Sequence, residues 1–122
     1  GVNVSFKKVD GFGAALAGAT FTLYSGYSCD SDTQTITVSN ATTYTGTSAD
    51  GTEDHQDASG TTLAKGIVYL PTVPNGVYYM QEKTTTGKDG APSGYTNANT
   101  YIVLVGSANL TVPETRTGLW VW

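Results

Sequence analysis

Residues 2–11 read VNVSFKKVDG, and the phase of that stretch decides what kind of core the chain builds. Side chains of a strand alternate faces, so Val2, Val4, Phe6, Lys8 and Asp10 share one side, and Asn3, Ser5, Lys7 and Val9 the other. Lys8 therefore extends an apolar stripe. Burying an ammonium costs several kcal/mol unless it is paired or neutralised, so either the strand ends early or the chain has a use for that amine.

Composition points the same way, toward strands. The chain has 122 residues, of which 39% are hydrophobic and only 13% charged, with 15 glycines and threonine in nearly every segment. That balance favours β-structure and turns over helices built from Glu, Lys, Leu and Ala. The length suits one independent core, so residues 1–122 are expected to form a single domain. A formal net charge of −4 with six Lys and Arg residues argues against nucleic acid, whose binding needs clustered cations. One cysteine, Cys29, allows no internal disulfide and reads as an inert small side chain. No apolar run is long enough to span a bilayer, so membrane insertion is not expected. Gly1 reads as a processing scar, which leaves room for a leader or anchor removed with flanking sequence.

Along the chain, DGFGAALAGA supplies a glycine-rich turn and TFTLYS a half-buried strand, so the first two strands are expected to form a hairpin or to be near neighbours. Between Gly26 and Gly66, TITVSN and TTYTGT read as strands and SADGTEDHQDASGTT as a polar, acidic surface loop. In GIVYLPTVPNGVYYMQEK, Ile67 to Leu70 form a strand, PTVPNG turns, and Val77 to Lys83 form another, with Tyr78, Met80 and Glu82 on one face. TYIVLV is a strongly apolar strand, GSAN a turn, and LTV and GLWVW two closing strands. About seven short strands with turns between them suggest an antiparallel, Ig-like β-sandwich.

Three stretches together resemble a known family, the CnaB-type, prealbumin-like repeat domains of Gram-positive pilins and surface adhesins. FKKVDGFGAALAGATFTLY is similar to that family's opening strand, with a lysine two residues before an aspartate ahead of a turn and an LAGAxFxL segment; the lysine is Lys8. LPTVPNGVYYMQEKTTT resembles the proline-glycine turn followed by a strand ending in a glutamate, here Glu82. APSGY, residues 91–95, resembles the stretch after that glutamate, with GKDG inserted ahead of it. The match runs over nearly the whole chain and rests on the order and spacing of the three.

The resemblance implies an intramolecular isopeptide bond: the lysine attacks an Asn or Asp of the final strand and the buried glutamate assists. On that basis Lys8 is the candidate nucleophile and Glu82 the assisting acid. An apolar site favours the neutral amine, which is the nucleophilic form, and a protonated carboxyl that can polarise the target carbonyl and pass protons to the leaving group. The reaction occurs once and needs no metal or cofactor. The Asn or Asp partner is expected just after Trp122, because Leu119 and Val121 are expected to face inward. Asn109 is the fallback; Asn97 and Asn99 precede the TYIVLV strand. The plainer alternative is a solvated ion pair of Lys8 with Glu82 or Asp10.

Other features carry less. Asp50, Glu53, Asp54, His55 and Asp57 could hold calcium but lack the spacing of a calcium loop and read as a solvated loop. LPTVP lacks the glycine of a sortase signal and reads as a turn. Asn3, Asn40 and Asn109 open N-x-Ser/Thr triplets, which are common by chance in threonine-rich sequence. Trp120 and Trp122 are expected to face outward, where they could stack on sugar rings, bury against a neighbouring domain, or be covered by a loop of the middle region.

The expected function is therefore a structural stalk or spacer of an adhesin or pilus subunit at the cell surface or cell wall, with neighbouring domains of the same protein as partners. The alternative is an adhesive module for glycan or host protein using the Trp120/Trp122 stripe. A turnover enzyme has little support, with one His, one Cys and no nucleophile elbow.

Overall fold

The computed structural model describes residues 1–30, 32–33, 35–39, 42–82, 101–106 and 118–121. Among the described residues all regular structure is β. The strands are β1 (Val2–Lys7), β2 (Thr20–Tyr24), β3 (Tyr27–Asp30), β4 (Thr35–Val38), β5 (Thr43–Thr47), β6 (Ile67–Val73), β7 (Gly76–Glu82), β8 (Tyr101–Val105) and β9 (Gly118–Val121). One sheet has the order β5-β2-β7-β8-β9, a second pairs β1 with β6, and β3 and β4 form a separate hairpin. This is the all-β sandwich the alternation implies.

The core lies between the two larger sheets. Val4, Val68, Leu70 and Val73 meet Phe21, Leu23, Tyr78, Met80, Val103 and Val105. The rings of Phe6 and Phe21 pack edge to face at 5.1 Å, and those of Tyr44 and Tyr78 at 5.9 Å. Each buried Leu or Met contributes about 2 kcal/mol. On one flank the sheets are laced together where β5 hands over to β6: the Ala49 N–H donates to the Ile67 carbonyl at 2.9 Å, and the Gly66 N–H to the Ala49 carbonyl at 2.8 Å.

Four details depart from the expectations. First, β1 and β2 do not pair. β1 runs antiparallel to β6, from Val2 opposite Val73 to Lys7 opposite Ile67, while β2 lies between β5 and β7. The glycine-rich segment does make a tight turn, closed by the Val9–Ala15 bridge, but the chain then crosses to the other sheet. Second, β6 does not stop at Leu70. It continues through Pro71 to Val73, so LPTVP is largely strand and the turn into β7 is confined to 74–75. The register shifts there, two residues of β6 opposing one of β1, which is how a sheet accepts a proline. Thr72 takes a φ of 55°, and its N–H donates to the Asn3 side-chain oxygen at 3.0 Å rather than to the ladder. Third, Tyr27–Asp30 is a strand that the sequence reading did not single out, paired with β4. Fourth, β9 is parallel to β8, with Tyr101 opposite Gly118 and Leu104 opposite Val121; the connection 106–117 is long enough for the crossover a parallel pair needs. The expected LTV strand falls in that connection, outside the described residues.

Two loops share a hydrogen-bond pattern. In the first, the Asp10 carboxylate accepts the N–H groups of Phe12 and Ala14 at 2.8 and 3.0 Å. In the second, the Asp57 carboxylate accepts those of Ser59 and Thr61 at 2.8 and 3.0 Å. In each, the aspartate's carbonyl also accepts the N–H of the glycine three residues on, and that glycine, Gly13 or Gly60, has positive φ. The pattern is a three-residue hairpin turn with glycine in the left-handed position.

The registers also fix direction. β1 starts, with Val2 opposite Val73, at the end of the sandwich that carries the 74–75 turn. β9 finishes at the same end, since Val121 lies beside Leu104 and Leu104 beside Val77. Lys8 and Glu82 sit at the other end.

Candidate functional site

Lys8 follows the last residue of β1, and its backbone is held from two sides. Its N–H donates to the Gly66 carbonyl at 2.7 Å, and its carbonyl accepts the Leu16 N–H at 3.0 Å. Gly66 makes this approach possible: its φ is +90°, and a Cβ there would lie 2.8 Å from the Lys8 carbonyl oxygen and 3.0 Å from Ala15 Cβ. The positioning role of Gly66 and Leu16 escaped the sequence reading. The available signal was a glycine directly ahead of an apolar strand, a common place for positive φ.

Glu82 is the last residue of β7, opposite Phe21 of β2, and shares the inner face with Tyr78 and Met80, all three buried. Lys8 Nζ lies 3.7 Å from Glu82 Oε2; the lysine side chain is 15% exposed and the glutamate side chain 0%. The two candidates, 74 positions apart (82 − 8), thus meet where the sheets close. Their separation is that of an ion pair, and Asp10, the other candidate partner for Lys8, spends one carboxylate oxygen on its own turn. Chemically the site holds an amine and a carboxyl shielded from water, set close to one another between apolar walls.

The remaining candidates are not gathered there. β9 runs away from the pair, its start nearer to Glu82 and its end at the opposite end of the sheet, so the register lends no support to a partner just after Trp122. Trp120 stands in register with the core residue Val103, and Leu119 with Ile102. Trp122, Asn97, Asn99, Asn109 and the APSGY stretch lie outside the described residues, as does Asn40.

In the acidic loop, Asp50 accepts the N–H and hydroxyl of Thr52 at 2.9 and 2.6 Å, and these bonds, the hydroxyl's first, hold its carboxyl below the ordinary value. Asp57 is committed to its own turn. No group of three or more His, Cys, Asp or Glu side chains among the described residues is placed to hold a metal ion. Elsewhere, burial and then the neighbouring Tyr44 push the Tyr78 hydroxyl above its ordinary value, while that hydroxyl donates to the Pro74 carbonyl at 2.7 Å.

An all-β sandwich of this arrangement is consistent with the prealbumin-like domains. The family described as the SpaA prealbumin-like fold domain matches residues 2–116. The chain belongs to that family, whose domains occur in cell-surface pilin proteins; β9 lies beyond the matched residues. No match was found among curated proteins or among solved structures.

Proposed function

We propose that the chain is a stalk or spacer module of a cell-surface protein in the cell wall, contacting neighbouring domains of that protein, and that Lys8 and Glu82 equip it to tie itself with an internal isopeptide bond. The observation that carries this reading is the 3.7 Å approach of Lys8 Nζ to a carboxyl whose side chain is fully buried, in a chain of the SpaA prealbumin-like family.

In the tie, the neutral Lys8 amine attacks the side-chain carbonyl carbon of an Asn or Asp. A new C–N bond forms, the old C–N or C–O bond breaks, and one ammonia or one water leaves. Glu82, protonated, donates to the carbonyl oxygen as charge builds on it and returns the lysine's proton to the leaving group. Among residues 1–122, closing a loop of roughly 100 residues would stabilise the fold by about 4 to 5 kcal/mol.

The test is the intact mass of the folded protein, followed by peptide mapping. A deficit of one ammonia or one water, with Lys8 in a branched peptide, supports the tie and names its partner. The full calculated mass with an unmodified Lys8 overturns the tie and leaves a non-covalent pair.

A further inference from the structure

We propose that the β3–β4 hairpin is a strap: it closes over an apolar layer on the outer face of the five-stranded sheet and lifts from it as a unit while the sandwich, with Lys8 and Glu82, stays folded. The inference does not rest on the isopeptide tie.

The outer layer follows from the registers. The core takes Tyr78, Met80, Val103 and Val105 from β7 and β8. Side chains alternate along a strand, so Tyr79, Ile102 and Leu104 belong to the other face, which in a sheet covered on one side only would be polar. They are nevertheless only 8%, 1% and 9% exposed. Tyr24 stands opposite Tyr79 and Tyr79 opposite Ile102, an apolar row across three strands.

The hairpin reaches one end of that row. Its pairs alternate in character: Tyr27 is opposite Val38 and Cys29 opposite Ile36, whereas Ser28 is opposite Thr37 and Asp30 opposite Thr35. Tyr27, Ile36 and Val38 are half-buried, while Ser28, Asp30 and Thr37 are exposed. The Tyr79 ring lies against two others, with the Tyr24 centroid at 6.4 Å and the Tyr27 centroid at 6.2 Å. Tyr27 is thus the clasp between hairpin and sheet.

The base of the hairpin is a break in the ladder. The Ser25 N–H donates to the Thr42 carbonyl at 3.1 Å, and the Ser39 N–H to the Gly26 carbonyl at 3.0 Å. One step along the first strand therefore matches three along the second, a bulge of the kind that bends a ribbon and lets Tyr27 return over Tyr79. Beyond it, among the described residues, β3 and β4 pair only with each other. A segment joined through an interrupted ladder and one apolar face opens more readily than strands in mid-sheet. The hairpin leaves β2 at Tyr24, whereas Phe21 is the residue opposite Glu82. Lifting therefore begins about 10 Å along β2 from the Lys8–Glu82 end.

The experiment is hydrogen exchange followed by NMR on the full chain across a urea series. The ladder amides of β3 and β4 should exchange through an opening at least about tenfold more populated than the one that exposes β2 and β7, and with a weaker dependence on urea. Equal populations and equal urea dependence would overturn the strap as a separate unit, and the parent protein alone decides this. Tyr27→Ala should speed exchange of the hairpin amides by roughly three- to tenfold, the worth of an aromatic pair, and shift the Tyr79 ring and Ile102 methyl signals. The β7 amides should stay within about twofold of the parent. Tyr27→Phe, which keeps the ring, should restore the parent pattern, and Thr37→Ala, on the exposed side, should leave it unchanged. Tyr79 and Ile102 signals that ignore Tyr27→Ala would mean a free-standing ribbon and overturn the clasp. Both readouts are independent of the intact-mass measurement, so either result can fail while the other stands.

Discussion

Replacing Lys8 or Glu82 singly should cost far more than replacing both with matched neutral residues. Lys8→Ala takes the cation away from a carboxyl whose side chain has no solvent contact, and Glu82→Ala strips the carboxyl from an amine that is 15% exposed. Losing one partner of a buried pair costs about 3 to 5 kcal/mol; the residual exposure of Lys8 sets Glu82→Ala at the lower end of that range. The Lys8→Met/Glu82→Gln double variant keeps the volume and removes both charges, so its loss should fall at least about 1 kcal/mol below the sum of the single losses. The interdependence holds whether the pair exists as ammonium and carboxylate or as amine and acid. Urea unfolding of the parent and the three variants, with m-values checked for constancy, measures all four corners. Single losses within about 1 kcal/mol that simply add would mean a solvated surface pair and would refute the reasoning.

Two further outcomes follow from the same geometry. Gly66→Ala forces a Cβ onto a φ of +90° and within 2.8 Å of the Lys8 carbonyl oxygen, so it should destabilise by about 2 kcal/mol or more in thermal or urea unfolding, with Gly60→Ala, which meets nothing within 4 Å, losing only about 1 kcal/mol from backbone strain. Burial, and then the neighbouring Tyr44, hold the Tyr78 hydroxyl above its ordinary value, so the folded state holds its proton longer than the unfolded chain. Its contribution is complete below about pH 10 and is lost as pH climbs through the folded value. Tyr78→Phe should flatten that alkaline fall in stability while costing about 1 kcal/mol at neutral pH for the lost bond to Pro74.

The sequence disclosed faces better than partners. The period-2 pattern in β7 correctly set Tyr78, Met80 and Glu82 inward, and that in β1 set Val4 into the core, because alternation records which side is dry. It says nothing of which strand lies alongside, so the sequence leaves a β1–β2 hairpin or near-neighbour arrangement as the expectation, whereas the glycine-rich segment leads across to the other sheet. In a regular ladder the strand would end at Leu70 and Pro71 would open the turn; the bulge beside Thr72 removes the need for the missing N–H of Pro71 and lets β6 run on to Val73. The direction of β9 was also illegible, since GLWV packs equally well parallel or antiparallel until its neighbour is known. For the site, burial logic singled out Lys8 and Glu82 without knowing the distance between them. Of the groups that hold Lys8 in place, Gly66 is marked only by its being a glycine directly ahead of an apolar strand, and the N–H of Leu16 leaves no mark in a residue pattern.

The twin turns at Asp10 and Asp57 separate shape from identity. Each loop is held by one carboxylate and one left-handed glycine, and the intervening pairs, Gly11–Phe12 and Ala58–Ser59, have nothing chemical in common. The backbone there is indifferent to what it displays. Positions 11, 12, 58 and 59 can therefore vary without disturbing the framework, and they are natural sites at which to diversify the domain as a scaffold, provided the aspartate and the glycine of each loop are left alone.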